Sequence, residues 1–198
     1  MTVTQLRVVP GQRRRDLDAA ARAAAAFLEA LGVDLGSDDL AETPARMARA
    51  YADLLTPREF QPTTFANDEG YDELVLARDI PIRSVCEHHL LPFVGVAHVG
   101  YLPGGRILGL SKLARLVDLF GRGPQVQERL TKQIADWLAD RLRARGVGVV
   151  IEAEHLCMTL RGVQAVGART ITSTMLGELR DDARSRAEFL MLAGVGPG

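Results

Sequence analysis

Only two of the 198 residues are cysteine, and no Cys-x-x-Cys pair is present. That is too few thiols for a disulfide framework. Charge of one sign is missing too: 24 Lys and Arg against 25 Asp and Glu leave a formal net charge of −1. Such a balance sets up no global basic field for nucleic acid or a membrane surface. Apolar runs are broken by charged or polar residues well short of the roughly 18–20 residues that a spanning helix needs. Near the N-terminus, Arg13-Arg14-Arg15 has no apolar core segment beside it. The basic stretch reads as a solvated tail rather than a secretory signal, and the protein is expected to be cytoplasmic and reduced. No internal repeat stands out, and the only biased tract is the alanines at 19–26.

What little sulfur and imidazole there is has been concentrated. Both cysteines and three of the four histidines fall in Cys86-Glu87-His88-His89 and His155-Leu156-Cys157. Thiolate and imidazole together suit zinc. Cys86, His89 and Cys157 form a ligand set that leaves one coordination position open, the pattern of a catalytic rather than a structural zinc. Residues 149–160 read as a strand, so His155 and Cys157, two apart, are expected on one face. A turn at 86–89 would let Cys86 and His89 converge. His88 and His155 would then flank the ion, where a general acid or base belongs. The plainer alternative is a Cys86–Cys157 disulfide with incidental histidines, which a reducing compartment disfavours.

At 198 residues, 47% of them hydrophobic and 25% charged, the chain suits one soluble domain with a real core, plus a helical appendage. Residues 1–15 are expected to be loosely ordered. Residues 16–70 should form an N-terminal helical region, with one helix from Asp16 to about Leu31 and another starting at Thr43-Pro44, Thr43 as its N-cap. A polar loop should cover 57–70. From 71 to 198 the expected order is extended segments over 72–85 broken near Pro81, a strand over 93–102, a turn at 103–105, a helix from Ser111 to about Phe120, a longer helix from Gln125 to Arg145, strands over 147–160 and 169–179, and a helix from Asp181 to Leu192. Paired strands around a helical pair imply an α+β fold: an antiparallel four-stranded sheet with helices on one face. Its open edges need covering, and pairing with neighbouring copies in a ring would do so.

Three further segments carry chemistry. Ser111, Lys112 and Arg115 place a hydroxyl and two cations on the first turn of a helix, which suits a phosphate, although a capping serine with two solvated cations has the same pattern. Glu128 could accept two hydrogen bonds from one base edge, or could pair with Lys132 on the helix surface. Arg161, before Gly162, could add a guanidinium to an anion site or merely end a strand. His98, in an alternating strand, reads as structural.

Cys86-Glu87-His88-His89, Leu108-Gly109-Leu110-Ser111-Lys112-Leu113-Ala114-Arg115, Gln125-Val126-Gln127-Glu128-Arg129-Leu130-Thr131 and His155-Leu156-Cys157-Met158 with Arg161-Gly162 together resemble GTP cyclohydrolase I. The Thr170–Leu176 run and Glu188-Phe189-Leu190 fit as well, and the likeness runs from about residue 40 to 192. Little of it falls in the first 35 or so residues. The resemblance implies a tunnelling-fold subunit in a homodecamer of two pentameric rings, with active sites between subunits. It implies hydrolytic opening of the guanine imidazole ring of GTP, giving formate and 7,8-dihydroneopterin triphosphate on the way to folate-type pterins. On matching positions, Cys86, His89 and Cys157 would hold one zinc per subunit, which activates water for attack at C8. His88 and His155 would move protons, Glu128 would read the guanine N1–H and 2-amino edge, and Ser111, Lys112, Arg115 and Arg161 would hold the triphosphate. Glu154 beside His155 is an unexpected charge, and alternation should turn it to the opposite face. Gly121-Arg122-Gly123-Pro124 is expected to make the approach looser. A zinc nucleobase deaminase would need His-x-Glu and Pro-Cys-x-x-Cys segments that this chain lacks. A non-catalytic metal-bound scaffold would have no use for intact His88, His155 and Glu128.

Overall fold

The computed structural model describes residues 15–58 and 60–195. Of the expected N-terminal tail, all but Arg15 lies outside the described residues. Two compact units are present, one ending at Thr56 and the other running on from Pro57. Among the described residues no helix is long and apolar enough to cross a membrane.

In the first unit, α1 (Leu17–Ala30) is capped by Asp16, whose carboxylate accepts from the Ala19 backbone N–H at 2.8 Å. The cap satisfies one of the orphan donors of the first turn. Helix α2 (Thr43–Leu54) packs against it. Thr43 is the first helical residue rather than the cap; Glu42 sits in the cap without a side-chain bond, and Pro44 takes the first turn as expected.

The second unit is built on one sheet. Its elements run β1 (Thr64–Ala66), β2 (Val75–Cys86), β3 (Pro92–Leu102), β4 (Arg106–Leu108), α3 (Leu110–Gly121), β5 (Pro124–Gln125), α4 (Gln127–Leu142), β6 (Gly146–His155), α5 (Leu156–Thr159), β7 (Thr170–Gly177), α6 (Glu178–Asp181) and α7 (Ala183–Ala193). Strand β1, inside the stretch expected as loop, pairs with β4, which follows the expected turn at 103–105. The main sheet has the order β5-β2-β3-β6-β7, so the four expected antiparallel strands gain a fifth. Strand β5 is two residues long and runs parallel to β2, with Val85 opposite Pro124 and Cys86 opposite Gln125. That pairing delays α4 to Gln127. The expected break at Pro81 is instead a bulge between Ala77 and Ile80, where Asp79 adopts φ 55. Pro81 itself stays paired to Val96, because β2 is an outer strand there and loses no second ladder bond.

Alternation sorts the two faces. Val147, Val149, Ile151 and Ala153 of β6, with Ala97, Val99 and Tyr101 of β3, join Leu113 and Leu116 of α3 and Leu130, Ile134 and Leu138 of α4 in the main core. Leu102 and Val150 belong to a second cluster with Leu179, Phe189 and Ala193. Helices therefore cover both faces, correcting the one-sided expectation. The reason is local: Gly100 and Gly148 leave a hollow in which a Cβ would stand 3.0 Å from the Phe189 ring. Truncating such a fully buried phenylalanine costs about 3–5 kcal/mol.

Candidate metal centre and its pocket

The strand registers bring one set of ends together. Val85 lies opposite Pro92, Phe93 opposite His155 and Ala153 opposite Thr170. The turn after β2 is closed by the Cys86 N–H donating to Leu91 O at 2.9 Å and the Leu90 N–H donating to Cys86 O at 2.8 Å, with Leu90 at φ 52. It is tied to its neighbours through Glu87. The Glu87 N–H donates to Gln125 O at 3.0 Å, and its carboxylate accepts from Arg129 at 2.5 Å. That guanidinium, bonded directly to it, holds the Glu87 carboxyl below the usual carboxylate range. Arg129 also donates to Gln125 Oε1 at 2.8 Å and Pro124 O at 3.0 Å. The 121–124 segment is thereby anchored rather than loose, and Arg122 donates to Asp118 at 3.1 Å.

The route by which Cys157 reaches the turn differs from expectation. Strand β6 stops at His155, and the chain turns into the single helical turn of α5. His155 and Cys157 are thus not strand neighbours on one face; the helical turn carries the thiol round instead. Ligand atoms of Cys86, His89 and Cys157 all lie within 4.8 Å of one another. Cys86 Sγ is 3.8 Å from His89 Nδ1, where a tetrahedral zinc would set about 3.6 Å between such atoms. Both cysteines are free and buried, which removes the disulfide alternative. Burial, then the neighbouring Cys86, pushes the Cys157 thiol up, against a small opposing effect of Arg161. Two crowded thiols with an imidazole are a donor set that a soft divalent cation would satisfy.

His155 is held on two sides. Its ring stacks on Phe93 at 4.5 Å between centroids and 12° between planes. Its Nε2 is 2.7 Å from Gln127 Oε1. The Gln127 amide nitrogen is committed elsewhere, donating to Ile151 O at 3.1 Å, Thr170 O at 2.9 Å and Thr172 Oγ1 at 3.2 Å. Its oxygen must therefore accept, which fixes the proton of neutral His155 on Nε2 and leaves Nδ1 as the lone pair. Burial lowers the His155 pKa, with Glu128 acting the other way. Glu154 faces away, opposite Val94, as alternation requires.

These groups share a cavity of about 230 Å³ whose walls include Cys86, His88, His89, Glu128, His155 and Cys157. Glu128 has no hydrogen bond or ion pair among the described residues. The expected surface partner, Lys132, is taken by Asp136 at 2.7 Å. His88 is exposed, 3.9 Å from Glu87. Among the described residues the walls hold a carboxylate and no Lys or Arg. Ser111, Lys112 and Arg115 are not among them, and Ser111 does not cap its helix; α3 starts at Leu110 with Gly109 before it. Arg161, exposed, stands near enough for its charge to act on Cys157. His98 is structural as expected: buried, with the Asp79 N–H directed at its Nδ1 at 3.4 Å.

Gln127 is the residue that the sequence reading passed over. It is 2% exposed, on the stripe that continues through Thr131, Ile134 and Leu138. A glutamine at a core-facing helical position has to find partners, and that was the available signal.

A family profile described as GTP cyclohydrolase I matches residues 20–194. The GTP cyclohydrolase 1 of Mycobacteroides abscessus is 57% identical over 180 residues, covering 87% of this chain and 88% of that protein. That of Corynebacterium glutamicum is 53% identical over 185 residues, covering 91% and 94%. A solved structure of the archaeosine synthase QueF-Like in the apo form is similar over 53% of this chain and 94% of its own, at a TM-score of 0.44 and 19% identity.

Proposed function

Because this chain belongs to the GTP cyclohydrolase I family, we propose that it opens the imidazole ring of GTP by hydrolysis, releasing formate and forming 7,8-dihydroneopterin triphosphate, a step toward folate-type pterins. The observation that carries this reading is the meeting of Cys86, His89, Cys157, His155 and Glu128 on one cavity. Cys86, His89 and Cys157 would hold one zinc ion per chain, and the donor set and spacing fit it. When bound, that ion supplies Lewis acidity and brings the pKa of a water down toward about 7.

The remaining work falls to side chains. His155, kept neutral by burial and with its Nε2–H committed to Gln127, takes and returns protons at Nδ1. His88, at the exposed rim, exchanges protons with solvent and with N7 of the base. The unpaired carboxylate of Glu128 accepts from the guanine N1–H and 2-amino group. ATP would offer an acceptor at N1 instead, leaving that carboxylate unmatched.

A triphosphate needs cations, and among the described residues the cavity walls contain no Lys or Arg. We assign that role to Arg161 and to Lys112 and Arg115, with the Ser111 hydroxyl as a further phosphate donor, the latter three reaching the cavity from a second copy. Within the described residues the outer edge of β7, and that of β2 apart from Val85 and Cys86, have no strand beside them, so sheets could continue from copy to copy around a ring. A decamer of two pentameric rings with sites between subunits is the assembly we propose.

Incubating zinc-loaded protein with GTP, and with ATP in parallel, tests the reaction. Formate and an oxidisable pterin chromophore should arise from GTP alone. Protein shown to hold one zinc per chain that yields neither product contradicts the reading.

A further inference from the structure

We propose that Arg83 and Arg58 join Arg115 in a phosphate-binding cleft that takes the outer end of the substrate's triphosphate. The inference rests on the reading of Arg115 as a triphosphate ligand and adds two residues to it.

The cleft, about 460 Å³, lies between β2 and α3, with Arg58, Arg83, Arg115 and Asp118 on its walls. Alternation explains how Arg83 arrives there. Ile82 and Ser84 are buried, so the residue between them points outward, on a stretch of β2 with no strand beyond it. Arg115 and Asp118 are three apart on α3 and share a helical face.

The charges do not balance. Among the described residues Asp118 is the one carboxylate on the walls, and it is already engaged, accepting from Arg122 Nε at 3.1 Å and lying 3.7 Å from Arg58 Nε. Neither Arg83 nor Arg115 has a hydrogen bond or ion pair among the described residues. Three guanidiniums around one shared carboxylate repel one another unless an anion joins them. Guanidinium forks match phosphate oxygens two at a time, and the cleft has room for more than one phosphate. A chain of phosphates answers both the charge and the volume. The metal-side cavity has the opposite deficit, a base-reading carboxylate and no cation.

The test measures KM for GTP, and inhibition by inorganic tripolyphosphate, on zinc-loaded full-length protein. Arg83→Ala should raise both KM and the inhibition constant about tenfold, the loss of one charge-assisted contact, with the effect falling on KM rather than kcat. Arg83→Lys should recover only part, because lysine lacks the fork. Arg58→Ala should act in the same direction and more weakly. If Arg115→Ala raises both constants while Arg83→Ala leaves them unchanged, the inference fails and the reading of Arg115 stands. If neither variant moves them, the reading of Arg115 fails and takes the inference with it. Inhibition that is not competitive with GTP, yet is relieved by Arg83→Ala, would make the cleft an effector site and overturn the assignment to substrate. Zinc content and melting temperature matching the parent protein confirm that each variant is folded; should Arg83→Ala fail this check, Arg83→Gln carries the same comparison.

Discussion

His98 and His155 sit on adjacent strands of one sheet, and burial lowers the pKa of both. Their neighbourhoods are otherwise unlike. His98 is enclosed at 4% exposure, with a backbone N–H directed at its Nδ1 and the charges of Arg78, Asp79 and Glu152 around it. His155 is stacked and hydrogen-bonded behind, and in front shares a cavity with two free thiols, two more imidazoles and an unpaired carboxylate. Burial therefore does not mark a functional histidine here. What distinguishes the second corner is that its thiols, imidazoles and a carboxylate face one cavity, and that Glu128 has no hydrogen bond or ion pair among the described residues.

The contrast breaks most completely if the thiols are removed. Cys157→Ser should weaken zinc binding at least about a hundredfold, measured as metal per chain after dialysis against chelator, and formate release should go with it. Full zinc retention would mean the ion lies elsewhere. His155→Ala should keep its zinc and lose about 10²–10⁴ in kcat for formate release. A loss confined to KM would move His155 from proton transfer to binding.

Glu128→Ala should keep zinc as well, and weaken GTP binding about a hundredfold by removing the acceptor for two guanine donors. Equilibrium binding of GTP at parent affinity would remove Glu128 from the site. The smallest effect belongs to the other corner. His98→Asn retains an acceptor for the Asp79 N–H, and should leave formate release within about twofold while lowering stability by about 1–2 kcal/mol through lost volume. The pH dependence follows from sign. The folded pKa of His98 is below its ordinary 6.5, chiefly through burial, so folding favours the neutral ring. Its contribution is whole above that ordinary value and is lost as pH falls through the folded one. Melting curves between about pH 7.5 and 5 should fall less steeply for His98→Asn than for the parent; identical slopes would show that His98 does not titrate on unfolding.

Much of the second corner could be read from residue types alone, because thiols and imidazoles are rare in this chain and clustered. The helices were legible from their apolar spacing, and the four long strands from alternation between turns. The two-residue β5 was not, since Pro124-Gln125 has no strand signature and exists only through pairing with Val85 and Cys86. Helix α5 was hidden for a related reason: Glu-Ala-Glu-His-Leu-Cys continues a β-like pattern, and only the cluster it completes shows why the chain turns. The place of α7 depended on Gly100 and Gly148, whose hollow has meaning once the strands lie side by side. Glu128 is the instructive intermediate case. On the residues alone, pairing with Lys132 was the stronger reading, and in three dimensions Lys132 is taken by Asp136 instead.

The most direct measurement is zinc K-edge X-ray absorption on the metal-loaded protein without substrate. One zinc per chain is expected, with two sulfur neighbours at about 2.3 Å and two nitrogen or oxygen neighbours at about 2.0–2.1 Å, one of them exchangeable solvent. Cys157→Ser should lose one sulfur from that shell. A shell closed by four protein ligands, or an unchanged two-sulfur shell in Cys157→Ser, would contradict an open catalytic metal at this corner.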